Sequence, residues 1–195
     1  MAIYYFAVAF EADTAVDPQT DGVHYDAQYG FGVDSGNGNV QALGPGSGPN
    51  GEHFETVHVP GGSGTPNQFA VTLFSNLIGI NTSQSYVRCS FRPAHDVVPS
   101  NNPPLSPLNN SGTQALLGGV LLNTASSVPV NVPGSNYGLP GTGNYSTQWL
   151  FAGTNLASGQ RGTSIHYEMT LEISVLGSNG TWTYYKVDPE MIIDF

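Results

Sequence analysis

Positive charge is what this sequence has least of. It holds four Lys and Arg in 195 residues, and none before Arg88. A phosphate backbone needs such cations to displace its counterions, and an anionic membrane surface attracts them in the same way. Nucleic acid and membrane are therefore not expected partners. Charge of either sign is sparse, at 9% of residues against about 25% in an average soluble protein. The fourteen acids give a net charge of −10. Eight of them (Glu11, Asp13, Asp17, Asp21, Asp26, Asp34, Glu52 and Glu55) precede Arg88. The acidic first half favours solubility.

Cysteine is nearly absent too. The single Cys89 excludes an internal disulfide. In "YVRCSFRP" it alternates with polar residues, alongside Val87 and Phe91, so a place on the apolar face of a strand is expected. There a free thiol behaves as a small hydrophobe. No segment approaches the roughly 18 apolar residues of a membrane-spanning helix. The opening "MAIYYFAVAFEAD" lacks the basic start of a signal peptide and reads as a first β-strand. A soluble, cytoplasmic protein is the expectation. Helical periodicity is almost missing as well.

Strand alternation is plentiful. The segments Ile3–Phe10, Tyr29–Val33, His53–Val59, Phe69–Leu77, Tyr86–Arg92, Gln148–Ala152, Ser164–Leu176 and Thr181–Val187 all read as strands. The clearest is "SIHYEMTLEISVLG". It sets Ile165, Tyr167, Met169, Leu171, Ile173 and Val175 on one face, opposite His166, Glu168, Thr170, Glu172 and Ser174. Such a strand has one buried and one wet face. Asn179-Gly180 then predicts a type I′ turn and a hairpin with Thr181–Val187. Asp188-Pro189 is expected to end that pairing, since proline gives the ladder no donor. Thr113–Ala125 is ambiguous, between a short helix broken at Gly118-Gly119 and a strand. Twenty-five Gly and fourteen Pro gather in long loops. The pattern predicts one all-β domain over residues 1–195, an antiparallel β-sandwich with jelly-roll character and long Gly/Pro-rich loops.

In "HFETVH" the two histidines are five apart in a strand, not four apart on a helix as a zinc protease needs. "PGSG" and "GGSGT" each lack the outer glycine of a nucleophile elbow. No catalytic residue is assigned, and a non-enzymatic protein is expected. Asp13, Asp17, Asp21 and Asp26 recur at spacings of four, four and five. They do not alternate as an EF-hand loop does, which leaves two readings: a solvated acidic loop, or a calcium site of another kind. No other cofactor is implied. Aromatics make up 11% of the chain, more than one sandwich core needs. Rings over amide-rich loops suit a pyranose, whose C–H face covers the ring while amides take the hydroxyls. Tyr137, Tyr145 and Trp182 are the candidate contacts. The end of the chain, "EMIIDF", reads as a cover for the sheet or an edge for a partner. Met191, Ile192, Ile193 and Phe195 are the candidate assembly residues.

The C-terminal third carries a resemblance. A Trp strand (Trp149), a turn with Gly159, a long strand with an early Tyr167, the Asn179-Gly180 turn, an aromatic strand with Tyr184-Tyr185, then Asp188-Pro189 and an apolar end follow one another in that order. This pattern resembles the end of the bacterial inclusion-body protein family of the PixA/AidA type. "QYGFGV" looks like that family's second strand. The aromatic strand here lacks the Trp that the family places just before Asp-Pro, and the Gly/Pro-rich middle has no counterpart in it. The resemblance implies a self-associating β-sandwich without catalytic residues. It would be stored in cytoplasmic inclusions or act in interactions with hosts. The expectation is a homo-oligomer, with a carbohydrate-binding, lectin-like module as the alternative.

Overall fold

The computed structural model describes residues 1–10, 24–43, 56–60, 67–93, 114–139, 144–151, 153–155, 164–187 and 189–194. Among them are fourteen strands: β1 (Ile3–Ala9), β2 (His24–Asp26), β3 (Gln28–Asp34), β4 (Val40–Ala42), β5 (Thr56–Pro60), β6 (Gln68–Ser75), β7 (Tyr86–Pro93), β8 (Gln114–Leu121), β9 (Ser126–Pro133), β10 (Asn144–Leu150), β11 (Thr154–Asn155), β12 (Ser164–Leu176), β13 (Trp182–Val187) and β14 (Glu190–Asp194). Two 3₁₀ turns, η1 (Leu122–Thr124) and η2 (Gly134–Tyr137), complete them. The ambiguous stretch is therefore strand β8 followed by the short turn η1. There is no α-helix among the described residues, and so no helix able to cross a membrane.

The strands form two seven-stranded sheets. The first runs β4-β3-β1-β6-β10-β9, with β11 also on β6. In the second, β12 pairs with β7 on one edge and with both β13 and β14 on the other. Beyond these lie β8 on β7, β2 on β13 and β5 on β14. Most pairs are antiparallel; β1/β6, β13/β2 and β14/β5 are parallel. The parallel centre of the first sheet explains its sequence. "IYYFAVA" and "QFAVTLFS" are near-continuous apolar runs, which a strand covered on both faces requires. Both are buried almost throughout.

The main core lies between the sheets. Tyr4, Phe6, Val8 and Phe10 meet Val87, Cys89, Phe91, Met169, Leu171 and Ile173 there. Rings lock the layers together. Phe10 stacks on Trp149 at 5.7 Å and touches Tyr185 of the second sheet at 5.4 Å. Phe69 meets Phe91 edge-on at 5.8 Å. Each such buried side chain contributes about 1.5–3 kcal/mol of transfer free energy. Cys89 is fully buried in this core, as its alternation predicts, and burial pushes its thiol pKa far up.

The first sheet curls. Its edge strands β4 and β9 would lie roughly 24 Å apart if flat, at about 4.8 Å per strand. Yet η2 leaves the end of β9 and packs on β4, β3 and β1 within a few residues. A four-residue 3₁₀ turn advances only about 8 Å, so the edges must approach and make a half-barrel. Its concave face holds a second, smaller core of Tyr5, Ala7, Ala9, Ala70, Phe74, Tyr137, Leu139 and Tyr145. Glycine makes this approach possible. A Cβ on Gly30 would sit 2.3 Å from the Gly138 carbonyl carbon, and Gly138 itself has a φ of +70°. The backbones of β3 and the η2 turn thus touch where side chains would hold them apart.

The closing hairpin forms, with two departures from expectation. Only Gly180 of the Asn179-Gly180 pair has positive φ, so the turn is not type I′. The Gly180 N–H donates to the Gly177 carbonyl at 3.0 Å, and the Thr181 N–H to Asn179 Oδ1 at 3.0 Å. A left-handed glycine following an ordinary turn gives a longer hairpin loop. Nor does Asp188-Pro189 end the pairing. β14 continues along β12 in the register of β13, from Leu171 opposite Val187 to Ser164 opposite Asp194. Proline lacks a donor, but its carbonyl still accepts from the Met169 N–H at 2.9 Å.

Candidate functional site

The outer face of the second sheet carries the site. From Glu168 on, the even-numbered residues of β12 lie on the outer face, and the registers of its neighbours build rows across them. One row reads Leu121, Tyr86, Ser174 and Tyr184 from β8 to β13. The next outward row, two residues along the strands, reads Arg88, Glu172 and Lys186, with Asp26 of β2 at the following position. Trp182 stands beyond the first row, opposite Leu176.

Three aromatic rings gather there. Tyr86 lies 6.4 Å from Trp182, tilted by 58°. Trp182 lies 6.3 Å from Tyr184 with the ring planes within 13° of parallel. Tyr86 and Trp182 are 38% and 37% exposed, and Leu121 beside Tyr86 is as open. Ser174, between the two tyrosines in register, is small and buried. Tyr86 is placed by a bolted turn. Buried Ser85 accepts the Leu176 N–H on its Oγ at 2.9 Å, donates its own N–H to the Asn81 carbonyl, and accepts the Leu122 N–H on its carbonyl. The start of β7 is thereby fixed to the end of β12 and to η1.

The other aromatic candidates lie elsewhere, as corrections to the sequence reading. Tyr137 and Tyr145 are buried in the concave face of the half-barrel, 4.8 and 5.6 Å from the Phe74 ring. Tyr137 also packs edge-on against Tyr5, and its Oη accepts from Gln148 Nε2 at 3.3 Å. Burial, ahead of any neighbour, raises the hydroxyl pKa of Tyr5 and Tyr137. Rings so enclosed offer no face to a saccharide. The curl of the sheet, which no local pattern announces, is the reason. Of the three sequence candidates only Trp182 is open.

The proposed assembly edge is corrected as well. β14 has β12 on one side and β5 on the other, so its ladder is occupied on both edges. Met191 is fully buried in the main core and Ile192 is half-buried; Ile193 lies in register between Ile165 and Val59. Phe195 lies outside the described residues, as do Asp13, Asp17 and Asp21. Asp26 stands in β2 at the register of Lys186, a cation. Among the described residues no cluster of three His, Cys, Asp or Glu could hold a metal ion.

Sequence reasoning left out of its candidate contacts both Tyr184 and, across the face, Tyr86. Its signal was present: in "YVRCSFRP" it falls on the polar side of the alternation, opposite Val87, Cys89 and Phe91. A tyrosine on a wet face is a stronger mark of a site than one in a glycine-rich loop. Comparison with known proteins returned no matching family model, no matching curated protein and no matching solved structure, so the reading rests on the geometry of this face.

Proposed function

We propose that this protein is a non-enzymatic binding module whose second sheet takes a neutral carbohydrate on the row Tyr86, Trp182 and Tyr184. The observation that carries the reading is three clustered rings, two of them more than a third exposed, on a rigid sheet face. A pyranose has apolar C–H faces and a rim of hydroxyls. Its face would lie on the rings. Its rim would reach the Arg88–Glu172–Lys186 row, roughly 7 Å along the strands. That row alternates in sign, which supports a ligand rich in donors and acceptors and without net charge. Rigid aromatic anchors lose little entropy on binding.

The test is a glycan array probed with purified protein, followed by calorimetry on any hit. Trp182→Ala should weaken binding at least about tenfold, equivalent to about 1.4 kcal/mol, with an unchanged melting temperature. A blank array, or a hit indifferent to Trp182→Ala and Tyr184→Ala, rejects the reading. Should Trp182→Ala instead lower the oligomer size in sedimentation, the face serves self-association, as the inclusion-body resemblance implies.

A further inference from the structure

A cavity lies at the curled first sheet, away from the aromatic face, and an inference from it does not depend on the carbohydrate reading. The half-barrel is closed at one end and open at the other. At the closed end Phe74, Tyr137 and Tyr145 fill the concave space, and Gly134 lies under the Tyr145 ring. At the opposite end the first residues of β1, β6 and β9 come together with the last of β10. With Leu117 and Val120 of β8 from the second sheet and Phe151 after β10, they surround a cavity of about 540 Å³. Ile3, Tyr5, Ala70 and Leu150 give it apolar walls, and Gln68 and Ser126 add polar groups. Thr124 stands at the rim, its hydroxyl donating to the Leu121 carbonyl at 2.7 Å.

Two features define what fits. The volume falls within the roughly 300–1,000 Å³ of small-molecule sites, which favour the mouths of β-barrels. No charged residue lines the cavity among the described residues. An ion entering it would lose water without gaining a counter-charge, at a cost of several kcal/mol. An uncharged ligand meets no such cost. Its apolar body can cover Ile3, Ala70 and Leu150 while a hydroxyl or carbonyl meets the phenol, amide and hydroxyl groups. Ala70 matters by its size. A larger residue at that point of β6 would fill the mouth, as Phe74 fills the other end two repeats of the pleat further on.

We infer that the open mouth of the half-barrel binds a small, uncharged amphiphile, with an apolar body and one or two hydrogen-bonding groups. The test uses the neutral dye Nile red with the full chain. Expected are saturable, one-to-one binding with blue-shifted emission, and displacement by decanol. Leu150→Trp, which fills the mouth from the rim, should weaken dye binding at least about tenfold. Ser126→Phe, across the ladder from Leu150, should act alike and covers the case in which the first variant fails to fold. Ile78→Trp, at a wholly exposed turn beyond the far end of β6, should bind as the parent does. Non-saturable dye binding, or full affinity in both mouth-filling variants, overturns the site. Decanoate competing at neutral pH as well as decanol overturns the uncharged class.

Discussion

At the scale of the residue, two glycines do what no other side chain could. Gly30 and Gly138 let η2 lie on β3, and this contact closes the half-barrel. Gly30→Ala would thrust a Cβ into backbone on the facing segment, 2.3 Å from one carbonyl carbon. Backbone cannot step aside as a flexible side chain can. The expected cost is roughly 1–3 kcal/mol or more, read as a lower midpoint in urea denaturation. An unchanged midpoint would mean that η2 packs elsewhere. "QYGFGV" shows Gly30 and Gly32 plainly, two apart on one face of a strand. Their purpose is not visible there, because the partner backbone comes from a segment more than a hundred residues away.

At the scale of the element, the closing strand has changed meaning. An apolar end after Asp-Pro reads as a spare edge, free for a neighbour. In the fold it is an interior strand, paired on both sides, and Met191 is core. Removing residues 190–195 should therefore unfold the domain rather than merely lower its oligomer size. It strips β12 of half its partner on one edge and leaves β5 without its ladder. Circular dichroism with a thermal melt decides the matter: loss of the cooperative transition is expected, and a truncated chain that melts like the parent would restore the free edge. The hairpin of β12 and β13 was legible because alternation over many residues fixes face and register together. The continuation into β14 was not, because one missing proline donor looks like a stop when it costs a single rung.

At the scale of the whole molecule, electrostatics should show in both pH limbs. Asp34 accepts the N–H groups of Gly36, Asn37 and Gly38 at 2.8, 3.0 and 3.1 Å. The Gly36 bond leads in holding its carboxyl below the ordinary 3.8. Its contribution is present above that ordinary value and is lost as pH falls through the folded one. Tyr4, Tyr5 and Tyr137 are shifted the other way, above the ordinary 10.0, chiefly by burial. The unfolded chain gives up these protons first, so the stability they carry is full below pH 10 and drains as pH rises through the folded values. Melting temperature should fall as pH rises beyond about 10, and Tyr137→Phe should flatten that fall. Asp34→Asn should flatten only the acid limb. A melting curve indifferent to Tyr137→Phe on the alkaline side would show that the ring is not enclosed.

Sequence by itself determined the local order of this protein. Period-two alternation fixed most of the strands and the inward face of β7 and β12. It also placed Cys89 in the core. Tertiary structure decided which faces are covered. β1 pairs in parallel with β6, more than sixty residues on, and the first sheet curls until η2 spans it. Tyr137 and Tyr145 are enclosed by that curl, while Tyr86, Trp182 and Tyr184 stay on a face with no second layer among the described residues. The reason is physical. Alternation records that a strand has two faces, but whether a second layer covers the polar one depends on segments distant in the chain. An aromatic ring is stable in either place, buried in a small core or open on a sheet, and so its sequence position alone does not tell which.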